Sequence, residues 1–473
     1  MQFDQRVFKA NDIRGTYPEQ LTAELAFLLG KALAEVMGAK RAAVGYDCRA
    51  SSPALCSGLT AGLEASGAKT TVLGLCPAEI LYYVMGSRDE FDLGAIVTAS
   101  HNPPQFNGFK IVARGADPIT EFNGLGALRE WMSSAAAPGE PVFELPAKSF
   151  FAEKAYMEYA TSAVGLPDAG AIKVVADPGN GMAGLLWEEL TAATGIKPIR
   201  MNFEPDGSFP AHEPNPSKLE NLLPLRDRVV AEGADIGFAY DGDADRAVAV
   251  LGNGHIMQGG EMIAAIVEHL FAGSPPGRVA VNLVTSRKLL DFFRARGSEP
   301  VMAAVGHTKV KRLMRSDPTI LFAGEQSGHY FYREFFCCES ALMTTLHLLH
   351  LAAAGRLQSL MESLPGPWLM PAKEPSFNFA DRDEAVAACR AAASEGLKMF
   401  PDPLEITCEA GWQAKRDCSS ADIKEADGIR VDYHDWWFCV RPSETEPLVR
   451  LTLEARTQTA LQEKQAVLSK LFT

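Results

Sequence analysis

Three times along this chain a short apolar run opens directly into a loop of chemically reactive residues. Ala95-Ile96-Val97-Thr98 leads into Ala99-Ser100-His101-Asn102-Pro103. Ile236-Gly237-Phe238-Ala239 leads into Tyr240 and then Asp241-Gly242-Asp243-Ala244-Asp245-Arg246. Ile320-Leu321-Phe322-Ala323 leads into Gly324-Glu325-Gln326-Ser327-Gly328-His329. Short apolar runs bounded by polar loops read as buried strands, and open α/β sheets bind ligands beyond the carboxyl ends of their strands. The recurrence predicts an α/β chain: three successive similar domains with mixed sheets, each presenting one functional loop.

The intervening segments fit this plan. Leu21, Leu25, Leu28, Leu29, Leu33 and Val36 follow helical spacing, with Pro18 ahead and Gly38 just past the end. Strand-like runs follow at residues 42–46, 71–75 and 93–99. The last hundred residues differ. Ile429, Val431 and Tyr433 alternate with polar residues, as do Val449, Leu451 and Leu453. A period of two predicts antiparallel strands with one wet face. With a helix expected at about 459–471, this is a smaller α+β domain. At 473 residues the chain exceeds what one core supports. Pro-, Gly- and Ser-rich stretches place the domains at 1–150, 151–253, 254–368 and 369–473.

Bulk properties exclude several classes. A net charge of −14 disfavours nucleic acid as a partner. No apolar run approaches the ~18 residues that span a bilayer, so no membrane association is expected. Nothing at residues 1–6 resembles a secretory leader, and the nine cysteines are scattered without a C-x-x-C pair. Reduced thiols and a cytoplasmic location fit best.

The densest chemistry is the acidic loop. Three carboxylates within five residues, at a strand end, would raise one another's pKa unless a cation lies between them. A calcium loop of EF-hand type fails, because Arg246 and Gly252 stand where Gly and Glu are required. Asp241, Asp243 and Asp245 are therefore candidate ligands for a hard divalent cation, and the adjacent Arg246 points to an anionic partner such as phosphate. Ser100 is a candidate nucleophile beside His101, and the G-x-S-x-G elbow of acyl hydrolases is absent. Glu325, Ser327 and His329 offer groups suited to sugar hydroxyls. Arg441, Ser443 and Thr445, in Arg441-Pro442-Ser443-Glu444-Thr445-Glu446-Pro447, suit a phosphate dianion, although Glu444 at the centre would repel one unless it points away. Arg14 and Lys110 each add a cation near a glycine. A rival reading comes from Gly179-Asn180-Gly181-Met182-Ala183-Gly184, which fits the G-x-G-x-x-G dinucleotide pattern with Glu204 downstream; Asp177 and Pro178 before the first glycine oppose it. The other reading is glycines that serve helix–strand packing.

Taken together, five motifs in order resemble the α-D-phosphohexomutase family, in its bacterial phosphomannomutase/phosphoglucomutase branch: Asp12-Ile13-Arg14-Gly15, residues 98–103, 241–246, 324–329 and 441–447. His212-Glu213-Pro214-Asn215-Pro216-Ser217-Lys218 is also similar to a family segment. Glu444 stands where the family more often has Gly or Asn.

The resemblance implies four domains around a central cleft and an isomerase that moves phosphate between O6 and O1 of a hexose, mannose and/or glucose. Ser100 carries the phosphoryl group, one Mg2+ is held by Ser100, Asp241, Asp243 and Asp245, and a hexose 1,6-bisphosphate acts as intermediate and activator. It further implies catalytic roles for Arg14, His101, Lys110 and His329, with Lys110 and His329 the choices for acid–base work, and substrate contacts from Arg246, His307, Glu325, Ser327, Arg441, Ser443, Glu444 and Thr445. A monomer or weak homodimer is expected. The alternatives are a phosphoglucosamine mutase, or a metal-dependent phosphohydrolase that passes the phosphate to water.

Overall fold

The structure of the protein, a computed structural model, describes residues 3–136, 143–168, 170, 172–274, 276–371, 373–410, 413–443 and 447–472. The chain divides into two compact units. The first comprises Met1–Gln258 and Ser327–Gln358, the second Gly259–Gln326 and Ser359–Thr473.

The first unit holds two mixed sheets. In one, the strands run in the order Ile13–Thr16, Phe106–Ala113, Leu93–Val97, Arg41–Tyr46, Lys69–Leu75. Leu93–Val97 pairs parallel with Arg41–Tyr46 and antiparallel with Phe106–Ala113. The expected helix forms at Ala23–Glu35, where the Thr22 side chain accepts from the Leu25 N–H and the apolar stripe Leu25, Leu28, Leu29 and Leu33 is buried. The second sheet orders Ala247–Leu251, Ile236–Tyr240, Val174–Asp177 and Ile199–Arg200. Ile236–Tyr240 is buried along its whole length, as a strand covered on both faces must be.

A polar junction ties distant parts of this unit together. Glu79, fully buried at the start of helix Ala78–Ser87, accepts hydrogen bonds from the Tyr156 hydroxyl, Ser340 Oγ (2.7 Å) and the Ala341 and Leu342 N–H groups (2.8 and 3.2 Å). The last two open helix Ala341–Ala353, whose N-cap is Ser340. Burial nevertheless pushes the Glu79 carboxyl up to about 8, outweighing the four donors.

In the second unit the parallel strands Ile320–Gly324, Arg278–Asn282 and Val301–Ala303 continue through Gln413–Lys415 into the antiparallel strands Glu405–Ala410, Gly428–Asp432, Trp436–Pro442, Leu448–Ala455 and Ser376–Asn378. The antiparallel strands and the closing helix Gln458–Ser469 match the sequence reading. The expected wet face does not. Arg430, Asp432, Trp437 and Glu454, on the face opposite Ile429 and Val431, are all buried. Arg430 donates to Asp432 and to the carbonyls of Leu283 and Thr285, and its guanidinium lies 3.7 Å from the Trp437 ring centroid. Glu454 accepts from Trp437 Nε1 and the Arg287 N–H. The alternation arises here from a buried charge network rather than from water.

Candidate active site

Ser100 follows strand Leu93–Val97, which stops two residues earlier than its apolar pattern suggested. Thr98 ends it: the Oγ1 accepts the Ser100 N–H at 2.9 Å and turns Ser100 into the left-handed region, φ 48°. The Ser100 hydroxyl donates to Asp241 Oδ2 at 2.7 Å and lies 3.4 Å from His101 Nδ1. The serine loop and the acidic loop touch because Gly242 has no side chain; a Cβ there would come within 2.6 Å of the Ser100 carbonyl oxygen.

Asp241, Asp243 and Asp245 are buried, and one oxygen from each lies within 4.8 Å of the others. Ala244 at φ 61° curls the loop, and Asp241 Oδ1 accepts the N–H groups of Asp245 and Arg246 at 3.1 Å. Asp243 Oδ1 and Asp245 Oδ1 are buried without a hydrogen-bond partner among the described residues. Their other oxygens meet the Lys110 ammonium at 2.7 and 2.5 Å. Burial, then Asp245 and Asp243, raises the Asp241 carboxyl well above the carboxylate range. Burial acts on Asp245 in the same sense, but Lys110 foremost among its neighbours holds it well below that range. Burial would lower Lys110; Asp243 and Asp245 instead push it up, so it is a fixed cation here. Orphaned oxygens, excess negative charge and an all-oxygen donor set fit a hard divalent cation.

Other cations surround these loops. Arg14 donates to Asn102 Oδ1 (2.8 Å), the Ala99 carbonyl (3.1 Å) and Asp12 (2.5 Å). Arg246 Nε lies 3.6 Å from Asp241 and donates to His329 Nε2 at 3.0 Å. His329 Nδ1 is 3.1 Å from Ser327 Oγ, and its Nε2 is 3.8 Å from Asp245. Arg246, then burial and Arg14, depress the His101 imidazole so far that it is neutral. The first unit thus gathers Arg14, Ser100, His101, Lys110, Asp241, Asp243, Asp245, Arg246, Ser327 and His329.

The second unit carries the remaining candidates. Glu325 is buried and accepts from Asn282 Nδ2 (3.2 Å) and the Gly306 N–H (3.0 Å), next to His307 at the first turn of helix His307–Ser316. Arg441 stands near the end of strand Trp436–Pro442, its Nε buried without a hydrogen-bond partner among the described residues. It lines a recess with Lys309, Arg382, Glu409 and Asp427. Lys309 pairs with Glu409 at 2.8 Å. Ser443 is buried and donates its N–H to Leu448. Glu444 and Thr445 lie outside the described residues.

The G-x-G-x-x-G segment serves packing. The Asp177 carboxylate accepts the Gly179 N–H and Asn202 Nδ2 and lies 3.3 Å from His212, whose ring a Cβ at Gly179 would meet at 2.9 Å. A Cβ at Gly181 or Gly184 would meet the carbonyls of Gly242 or Phe203 at 2.8 or 2.3 Å. Sequence reasoning placed Thr98 and Asp12 inside motifs without giving them a role, and missed Lys309, Arg382 and, above all, Arg49, which is buried against the serine loop. The one signal for Arg49 was its place two residues after Asp47, just past strand Arg41–Tyr46.

Comparison with known proteins bears on this site. Residues 5–123, 154–254 and 258–367 match phosphoglucomutase/phosphomannomutase α/β/α domains I, II and III, and residues 380–470 match the C-terminal domain. Phosphohexose mutases of Xanthomonas campestris are 33% identical over 459 residues, covering 96% of this chain and 96% of theirs. The phosphomannomutase/phosphoglucomutase of Pseudomonas aeruginosa is 32% identical over 470 residues, covering 98% and 94%. A crystal structure of a phosphoglucomutase/phosphomannomutase family protein from Burkholderia thailandensis superimposes with a TM-score of 0.83 at 29% identity, over 99% of this chain and 97% of that one. With all four domains matched in order, the chain belongs to the phosphoglucomutase/phosphomannomutase family and is a phosphohexomutase.

Proposed function

We propose that the chain interconverts the 6-phosphate and 1-phosphate of mannose and/or glucose, with Ser100 as the phosphoryl carrier. The observation that carries this reading is the 2.7 Å contact between Ser100 Oγ and Asp241, which joins a strained serine to a buried three-carboxylate cluster. Asp241, Asp243, Asp245 and the phosphoryl oxygens on Ser100 would hold one Mg2+. That cation would neutralise and polarise the phosphoryl group under transfer.

The chain's own residues do the rest. The bond between Ser100 Oγ and phosphorus breaks as the free hydroxyl of the bound sugar phosphate attacks phosphorus. The hydroxyl proton passes to a base, for which His329, already positioned by Ser327 and Arg246, is our assignment, and the leaving Ser100 oxygen takes up a proton, for which the Lys110 ammonium is our assignment; the two transfers run in reverse when Ser100 is rephosphorylated. The product is a hexose 1,6-bisphosphate, which also serves as the activator that recharges Ser100. After reorientation the other phosphate returns to Ser100 Oγ. Arg14, Lys110 and Arg246 offset the charge of the transferring group, and the neutral His101 imidazole supports it through a hydrogen bond. Glu325 and Ser327 grip sugar hydroxyls. Arg441, Ser443 and Thr445, with His307, receive the phosphate that is not in transfer.

In this reading residues 1–150 supply the phosphoserine loop, 151–253 the metal loop, 254–368 the sugar loop and 369–473 the phosphate clamp. We assign the enzyme to the cytoplasm. The experiment is intact-mass and phosphopeptide analysis of the purified protein, with assays on mannose 1-phosphate and glucose 1-phosphate. Phosphate on Ser100, and Ser100→Ala folded but without turnover, are expected. Full turnover in Ser100→Ala would refute the assignment, and release of phosphate to water would replace the mutase with a phosphohydrolase.

A further inference from the structure

Arg49 has no exposed surface, and its guanidinium uses all five donors. Nε donates to Asp47 Oδ2 at 3.1 Å. One terminal nitrogen donates to the carbonyls of Pro103 (2.7 Å) and Phe106 (3.0 Å), the other to those of Ser100 (2.8 Å) and Asn102 (2.6 Å). Three carbonyls of the irregular serine loop, and that of Phe106 at the start of the next strand, therefore end on one side chain. Asp47 is fixed in turn: its Oδ1 accepts the Arg49 N–H (3.0 Å) and the Ser52 hydroxyl (2.6 Å), and its own N–H donates to Val97 at the end of the strand that delivers Ser100.

The guanidinium also has a covered face. The Phe209 ring lies over it, with the centroid 5.0 Å from Cζ. Phe209 belongs to the segment that packs against the acidic loop, and a Cβ at Gly242 would come within 3.5 Å of that ring. Arg49 thus touches the Ser100 side of the contact with Asp241 directly and the acidic-loop side through the Phe209 ring. It holds the carbonyl of a residue in the left-handed region, where a serine does not remain without support.

We propose that Arg49 is the positioning residue that sets Ser100 Oγ over the aspartate cluster, acting on the phosphoryl-transfer step and not on substrate capture. The inference rests on Ser100 as the phosphoryl carrier. Lysine cannot replace arginine in this role, because an ammonium has three donors and no planar fork to span four carbonyls.

The test compares wild type with Arg49→Lys, which keeps the charge opposite Asp47, and with Phe209→Leu, which removes only the ring. The readouts are kcat and KM for glucose 1-phosphate, phosphate on Ser100 by intact mass, and amide exchange across residues 99–107. For Arg49→Lys we expect kcat to fall by about 100-fold or more with KM within about threefold, and faster exchange confined to that loop. For Phe209→Leu we expect kcat to fall about fivefold at unchanged KM and unchanged thermal midpoint. Folded Arg49→Lys with kcat within about threefold of wild type would overturn the proposal. So would kcat and KM changing together, since that marks a general structural loss. Should Arg49→Lys fail to fold, Phe209→Leu decides: wild-type kcat there ends the proposal. Turnover in Ser100→Ala would instead remove the carrier assignment itself, whatever the Arg49 variants do.

Discussion

The Glu79 junction makes stability fall with rising pH in a defined window. Its carboxyl ordinarily titrates at 4.5 and is pushed up to about 8 in the fold. The folded state therefore binds the proton more tightly than the unfolded state does. The stabilisation from protonated Glu79 is complete below pH 4.5, declines between 4.5 and 8, and is gone above 8. The slope is about 1.4 kcal/mol per pH unit, and the whole window is worth roughly 5 kcal/mol. Glu79→Gln keeps the size and the acceptor for the Ala341 and Leu342 N–H groups and cannot ionise. Hydrogen exchange of helix Ala341–Ala353, corrected for the intrinsic rate at each pH, reads the local opening free energy. We expect wild type to lose protection steadily from pH 5 to 8 while the variant stays flat, so that the curves diverge with pH. Parallel curves across that range would show that Glu79 does not titrate there and that burial is not what governs it.

Three further outcomes are expected. Ser100→Ala should leave thermal unfolding intact and abolish both turnover and phosphorylation, measured by intact mass. Asp243→Asn should weaken Mg2+ binding by more than the roughly 10–100-fold that loss of an outer-sphere partner costs; calorimetric titration with unchanged affinity would remove Asp243 from the ligand set. Arg441→Ala should raise KM by about 10–100-fold with kcat largely kept, because a charge-assisted contact to a remote phosphate is lost. A loss confined to kcat would place Arg441 at the reacting group instead.

The strand-to-loop pattern located Ser100 and the aspartates because both depend on short-range features: an apolar run, its end, and the residues just beyond. What the sequence hid depends on long-range partners. Arg49 is a single arginine in an ordinary loop until four carbonyls more than fifty residues away converge on it. Arg430 and Asp432 alternate with apolar neighbours in the way a solvated face does, and only the packing of residues 283–287 shows them to be interior. The glycines at 179–184 match a nucleotide pattern because close backbone approach demands glycine whatever the neighbour, phosphate or peptide. Glu79 carried no local signal, since its hydrogen-bond donors come from helices 77 and more than 260 residues further on.

The first unit is assembled from two stretches of chain separated by residues of the second. Synthesis from the N-terminus must therefore leave that unit unfinished until residue 358 has left the ribosome. For all that time the Glu79 carboxyl lacks the helix start it will later serve, so the nascent chain carries an acid that stays wet and ionised. Any fragment cut after the second family domain would inherit the same defect permanently, which makes a polypeptide ending near residue 258 a poor surrogate for the first unit.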